Sequence, residues 1–221
     1  MSNPLRFPLR SVVHTMVAAC LLMIGVCVAG VALRAQTSAR PQAPTPAQPG
    51  GRVLARYDFS TSVQGWRIAG DTDPMPPIYR SGGGQEGGCI EGQDQALGET
   101  WFFVAPPEAV AQLPSAVGGT LSYWLKQSGD VVSLNDDDIV IMSKAGRLSY
   151  RFPTAPGTNW TAMSVRLSAD AGWVWNWNRP ATPEQVAEVL AGAIRLEIRG
   201  EYVTGDDHAS LDTVVLSAAS R

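Results

Sequence analysis

Three tryptophans at alternate positions, Trp173, Trp175 and Trp177, carry the clearest chemical signal in this chain. Alternate residues of an extended strand share one face, so the three indoles would form a flat row able to stack on sugar rings. Asn176, Asn178 and Arg179 stand among and beside them and would supply hydrogen bonds to such a ligand. The competing reading places Trp173 in a core and lets the other two cover a helix or a sheet edge. Carboxylates form a second candidate group, because Glu91, Asp94 and Glu99 lie near one another in sequence and a pair of acids can hydrolyse a glycosidic bond. Nothing in their spacing sets their separation in space. No nucleophile elbow, zinc-ligand pair or Ser-His-Asp set accompanies them, since His208 is the one histidine beyond the N-terminal apolar stretch. Asp136-Asp137-Asp138 reads as a solvated turn and Asp206-Asp207-His208 as a hairpin tip. These residues point to binding before catalysis.

Charge narrows the class of ligand. The first 50 residues hold four of the 17 basic residues (Arg6, Arg10, Arg34, Arg40) and none of the 20 acidic ones, so the remainder has a formal net charge of −7. Such a domain lacks the basic footprint of a nucleic-acid binder. It is also unsuited to docking on anionic lipid, though compatible with cations. The only membrane signal is Val12 to Leu33, an apolar run behind Arg6 and Arg10. Its length suits a signal-anchor helix slightly better than a cleaved signal peptide, and both readings export the C-terminal part of the chain. Residues 1–35 are thus read as the targeting segment. Residues 36–52, rich in Pro, Ala and Gln, read as an extended linker, and residues 53–221 as one domain. Of the three cysteines, Cys20 and Cys27 lie in the apolar run, leaving Cys89 alone in the domain without a disulfide partner.

The elements that must position the candidate residues are strands. From Val53 onward, short apolar or alternating runs are separated by Gly, Pro, Asn and Asp, which predicts an all-β sandwich. Expected strands are 53–59, 66–69, 88–92, 99–105, 120–127, 138–143, 147–152, 161–167, 194–202 and 211–217. One helix is expected, argued from its cap: Thr182-Pro183-Glu184-Gln185 is a capping box with Pro in the first turn. Val186, Val189 and Leu190 then recur at helical spacing before Gly192. In 194–199, Ile194, Leu196 and Ile198 are expected on a buried face, with Arg195, Glu197 and Arg199 on a solvated one. In the last strand, strict alternation would group Asp212 with Val214 and Leu216, so that Asp212 needs a partner where that face begins. The run Gly82-Gly83-Gly84 with Gly87-Gly88 lacks a Gly-Lys-Ser/Thr ending and reads as a connection, not a phosphate loop.

The order of these pieces resembles the laminin B domain, also called laminin domain IV. The likeness runs from about Trp101 to Leu216. It comprises WFFVAPPEAV, then Gly118-Gly119-Thr120-Leu121-Ser122-Tyr123, then Asp138-Ile139-Val140-Ile141, then Trp173 and the helix from Ala181-Thr182 to Leu190, and finally Leu211-Asp212-Thr213-Val214. The opening YDFSTSVQGWRIAGD is similar to the segment upstream of such domains. The resemblance implies a jelly roll like the galactose-binding-like sandwiches, non-catalytic and extracellular, acting on a protein or glycan ligand. It also implies a structural Ca²⁺ near the meeting of first and last strands, where Asp58 and Asp212 are the matching acids; backbone carbonyls would have to complete its six to eight oxygens. Laminins flank this module with cysteine-rich repeats that this chain lacks, so the arrangement is more like a bacterial cell-envelope protein.

Overall fold

The computed structural model describes residues 50–70, 73–95, 100–130, 136–203 and 205–220. The expected targeting segment and nearly all of the linker lie outside the described residues. Among those described, no helix is long and apolar enough to cross a membrane. The chain runs through β1 (Val53–Tyr57), β2 (Arg67–Ala69), β3 (Ile78–Arg80), β4 (Cys89–Gln93), β5 (Phe102–Val104) and a one-turn helix, α1 (Pro107–Val110). Then come β6 (Thr120–Gln127), β7 (Ile139–Ser143), β8 (Gly146–Tyr150), β9 (Thr161–Arg166), β10 (Val174–Trp175) and β11 (Arg179–Pro180). The second helix, α2 (Pro183–Ala191), leads into β12 (Ala193–Arg199) and β13 (His208–Ser217).

These strands build a jelly-roll β-sandwich. One sheet has the order β3-β4-β13-β6-β9, with β1 also paired to β13; the other has the order β11-β10-β8-β7-β12-β5-β2. All pairings are antiparallel. The inward positions of both sheets, among them Ile90, Leu121, Leu125, Ile141, Leu196, Ile198 and Leu211, meet in one core cluster. Burying such side chains is the main favourable term in folding. The capping box on α2 forms as expected: Thr182 Oγ1 accepts the Gln185 N–H at 3.3 Å, and Gln185 Oε1 accepts the Thr182 N–H at 2.9 Å. Val186, Val189 and Leu190 are its buried residues.

Several expectations are corrected. The chain forms a second helical turn, α1, because Pro107 supplies the fixed φ of a first helical position and has no N–H to leave unpaired. β3, β10 and β11 are too short to show a period in sequence. In β12, the register slips between Ala193 and Arg195, so Ala193 packs on the core while Ile194 is 66% exposed. That is what a bulge does, since one extra residue shifts every later side chain to the other face. Nor is the charged face of β12 solvated. Glu197 and Arg199 are 5% and 1% exposed, Glu197 held by Arg195 at 2.7 Å and Arg199 ringed by Asp136, Asp138 and the Tyr202 ring. In β13 a second register shift, at Thr213 with φ +46°, breaks the alternation. Leu211, Val214 and Leu216 therefore all join the core, and Asp212 turns to the opposite face.

Two acidic clusters read as solvent features are instead structural. Asp138 is buried and accepts the Phe152 N–H at 2.6 Å. Asp207 is fully buried and accepts the Trp101 indole N–H at 3.1 Å and the Tyr202 N–H at 3.3 Å. The Trp101 ring lies between Gly92 of β4 and Gly200 just after β12, where an added Cβ would stand 2.3 and 1.9 Å from it. Gly200→Ala should therefore cost about 1–3 kcal/mol through overpacking, against about 1 kcal/mol for Thr182→Ala through loss of a cap. Urea unfolding of the full chain reads both.

Burial pushes the carboxyls of Asp138 and Asp207 up, against the hydrogen bonds that pull them down. Between the ordinary aspartate range and their raised folded values, the folded state holds more protons than the unfolded chain. The contribution of these groups therefore grows as pH falls from neutrality into that window and shrinks as pH rises through it. Urea midpoints at pH 7 and pH 5 should show Asp207→Asn gaining less from acidification than the unaltered chain.

Candidate ligand-binding site

β10 and β11 form a hairpin on the edge of the seven-stranded sheet, with Trp175 opposite Arg179. Extended geometry lasts only through Val174 and Trp175, because Asn176 and Trp177 adopt φ of +44° and +79° and reverse the chain. The three indoles consequently do not share a face. Trp173 is 1% exposed in the core, donating to the Arg166 carbonyl at 2.8 Å and packing on Tyr150. Trp175 is half-buried and packs against the same core. Trp177 is 73% exposed, more than any other large apolar side chain described.

A neighbour outside the predicted set holds that indole. The Arg147 guanidinium lies over the Trp177 ring at 4.1 Å from its centroid, a cation–π contact, and Asp137 pairs with Arg147 at 2.9 Å. The Arg147 N–H also donates to Asn176 Oδ1 at 2.9 Å, which ties the turn to β8. Asn178 and Arg179 are exposed beside the ring. Together with Trp177, Val174, Pro180 and Ala169 they border an open groove of about 380 Å³. Its volume is within the usual range for small-molecule sites, about 300–1,000 Å³. An exposed ring with a few polar groups at its margin can stack on an apolar ligand face and fix its orientation by hydrogen bonds. Arg147 carries no motif, and only the pairing of β8 with β10 brings it to Trp177.

The acids matched to a calcium site lie near one another in topology, since Tyr57 of β1 pairs with Val214 of β13. Their surroundings differ. Asp58 Oδ1 accepts the Ser60 N–H at 3.0 Å and the Gln64 side-chain amide at 3.2 Å, and the Ser60 contacts lead in holding its carboxyl below the usual range. Asp212 is fully buried; its Oδ2 accepts the Gln85 and Glu86 N–H groups at 2.7 and 3.1 Å, and its Oδ1 accepts the Thr213 hydroxyl at 3.0 Å. Burial nevertheless pushes the Asp212 carboxyl up. Calcium needs oxygens around a carboxylate, whereas Asp212 is surrounded here by donors. No group of three or more His, Cys, Asp or Glu able to hold a metal occurs among the described residues. As arranged, Asp212 pins the glycine-rich connection onto the sheet. Of the sequence-adjacent acids, Glu91 is paired with Arg80 at 2.6 Å, and Glu99 lies outside the described residues.

The family model for Laminin B (Domain IV) matches residues 102–221. Among solved structures, the chain is similar to the L4b domain of human laminin alpha-2, at 10% identity over 76% of this chain and 98% of that one, with a TM-score of 0.60. A weaker likeness, with a TM-score of 0.47, is to a family 11 carbohydrate-binding module from Clostridium thermocellum in complex with a β-1,3-1,4-mixed-linked tetrasaccharide, at 13% identity over 77% of this chain and 99% of that one. The first likeness establishes a shared fold, and the second is too distant to bear on function.

Replacing Asp212 by Ala strands two backbone donors, so it should destabilise the chain by about 1.5–3 kcal/mol and speed hydrogen exchange at the Gln85 and Glu86 amides. Asp212→Asn keeps an acceptor oxygen and should fall between the two. Exchange mass spectrometry over residues 82–88 measures the effect.

Proposed function

Because the chain belongs to the laminin B (domain IV) family, we propose that it is a non-catalytic binding module that makes adhesive contacts outside the cytoplasm. Export is supported by the apolar run at Val12 to Leu33, and a stand-off from the membrane by the Pro-rich linker. The observation that carries a ligand surface is Trp177: a large indole, 73% exposed, braced on one side by Arg147 and bordering a groove. Tryptophan is among the residue types enriched at binding hot spots. The ligand is a protein or a glycan.

The glycan reading has a specific observation in its favour. Arg147 occupies one side of the Trp177 ring, and a sugar needs only one indole face together with hydrogen-bonding groups such as Asn178 and Arg179. On this reading the platform is one indole, with Trp173 and Trp175 as its support. A role as a glycan-active enzyme has less behind it, because Glu91 is engaged by Arg80 at 2.6 Å.

A glycan array and a panel of extracellular matrix proteins, probed with the full chain, test the surface directly. Trp177→Ala should lower binding to whichever ligand is found by at least about tenfold, the scale of one hot-spot residue, and leave the melting temperature unchanged. Trp173→Ala should lower the melting temperature instead. Full binding by the Trp177 variant would rule out the hairpin as the contact.

A further inference from the structure

A second pocket lies on the outer face of the six-stranded sheet, and its chemistry is unlike that of the hairpin groove. Lys126 of β6 sits directly opposite Ser210 of β13, and both alternate with the core residues Leu125 and Leu211, so they face away from the core. With Gln127, Ser128, Thr158 and His208 they line a cavity of about 250 Å³. Three hydroxyls, an imidazole and an ammonium belong to its lining residues, with no apolar and no acidic residue among them, while the Gln127 side chain turns inward to donate to the Pro156 carbonyl. The walls are tied down. The His208 N–H donates to Ser128 Oγ at 3.2 Å, the Gln127 N–H to the Gly157 carbonyl at 3.1 Å and the Gly157 N–H to Thr161 Oγ1 at 3.2 Å.

Lys126 is the informative member. Among the described residues no carboxylate pairs with it, although the chain beyond residue 50 is acidic by seven charges. Glu91, which pairs across β13 with Ser210, is taken by Arg80 at 2.6 Å. The Lys126 ammonium instead lies over the Trp160 ring at 4.9 Å, and the Trp160 indole donates to the Gly83 carbonyl at 3.1 Å, which anchors the ring. A positioned cation without a counter-ion, beside a cluster of hydroxyls, matches a ligand with one negative charge and several hydroxyl groups.

We propose that this pocket binds a carboxylate-bearing sugar unit, a uronic acid residue of an acidic glycan. The carboxylate takes the Lys126 ammonium, and the ring hydroxyls exchange hydrogen bonds with Ser128, Thr158, Ser210 and His208. The volume of about 250 Å³ lies just below the usual range for ligand sites, about 300–1,000 Å³, which suits one sugar unit at a time. Trp160 acts by positioning Lys126. The site is separate from the Trp177 groove, so either can fail without the other.

Titration calorimetry and the Trp160 indole N–H resonance of the full chain, with oligogalacturonate and its fully methyl-esterified form as probes, test this. The expected result is saturable binding of the free acid that weakens with added salt, a shift of the Trp160 resonance, and no binding of the ester. Lys126→Gln should weaken binding at least tenfold, Lys126→Arg should retain most of it, and Trp177→Ala should leave it unchanged. Absence of binding, equal binding of the ester, or an unaffected Lys126→Gln variant with native circular dichroism would each overturn the proposal.

Discussion

The indole of Trp101 is the constraint on which the sandwich depends. It bridges the two sheets, with its ring between Gly92 of the six-stranded sheet and Gly200 at the end of β12 in the other. Neither position has room for a Cβ, so the two chain segments approach the ring as closely as backbone can. The indole N–H is buried and is satisfied by Asp207, whose other oxygen accepts the Tyr202 and Val203 N–H groups. One carboxylate thus supports the inter-sheet ring and shapes the turn between β12 and β13. The Trp101 carbonyl accepts the Gly200 N–H in turn, closing the arrangement.

The last strand extends this order to the outside of the molecule. β13 pairs with β6 along one edge and with β4 and then β1 along the other, so it is the spine of its sheet. The register shift at Thr213 lets one strand serve two environments. Its apolar residues stay in the core on both sides of the shift, while Asp212 is released to hold the Gln85 and Glu86 amides. The connection at 82–88 is thereby fixed over the outer face, and Gly83 in it accepts the Trp160 indole N–H. Trp160 in turn carries Lys126. A buried acid in the spine is linked through that chain of contacts to a cation at the surface.

Both candidate ligand surfaces lie where the sandwich has met its packing demands. Trp177 stands on a hairpin at a sheet edge, and Lys126 on the outer face of a central strand. In each case an aromatic ring and a basic side chain hold one another before any ligand arrives, which lowers the entropy lost on binding. The buried charges have a different role. Arg199 with Asp136 and Asp138, and Asp207 with Trp101, satisfy groups that would be costly to leave alone in the core.

Much of the architecture was legible in the sequence because it is local. The capping box of Thr182 and Gln185, the helical spacing of Val186, Val189 and Leu190, and the long strands at 120–127 and 161–166 follow from rules that act over a few residues. The order of those elements was also enough to indicate a laminin B jelly roll. The candidate sites were legible only in part. The sequence marked Trp177, Asn178, Arg179 and Asp212 as notable, but alternation implied three coplanar indoles, and the turn at Asn176 and Trp177 ends the strand after Trp175. It also implied a solvated Arg199, which long-range contacts with Asp136 and Asp138 bury. Which segments extend, which one coils and where the chain turns were dictated locally, since those preferences belong to neighbouring residues. Which indole faces solvent, which carboxylates are buried and which lysine is seated over a tryptophan ring emerged only on folding. Each of those depends on bulges and strand pairings that join residues far apart in the chain.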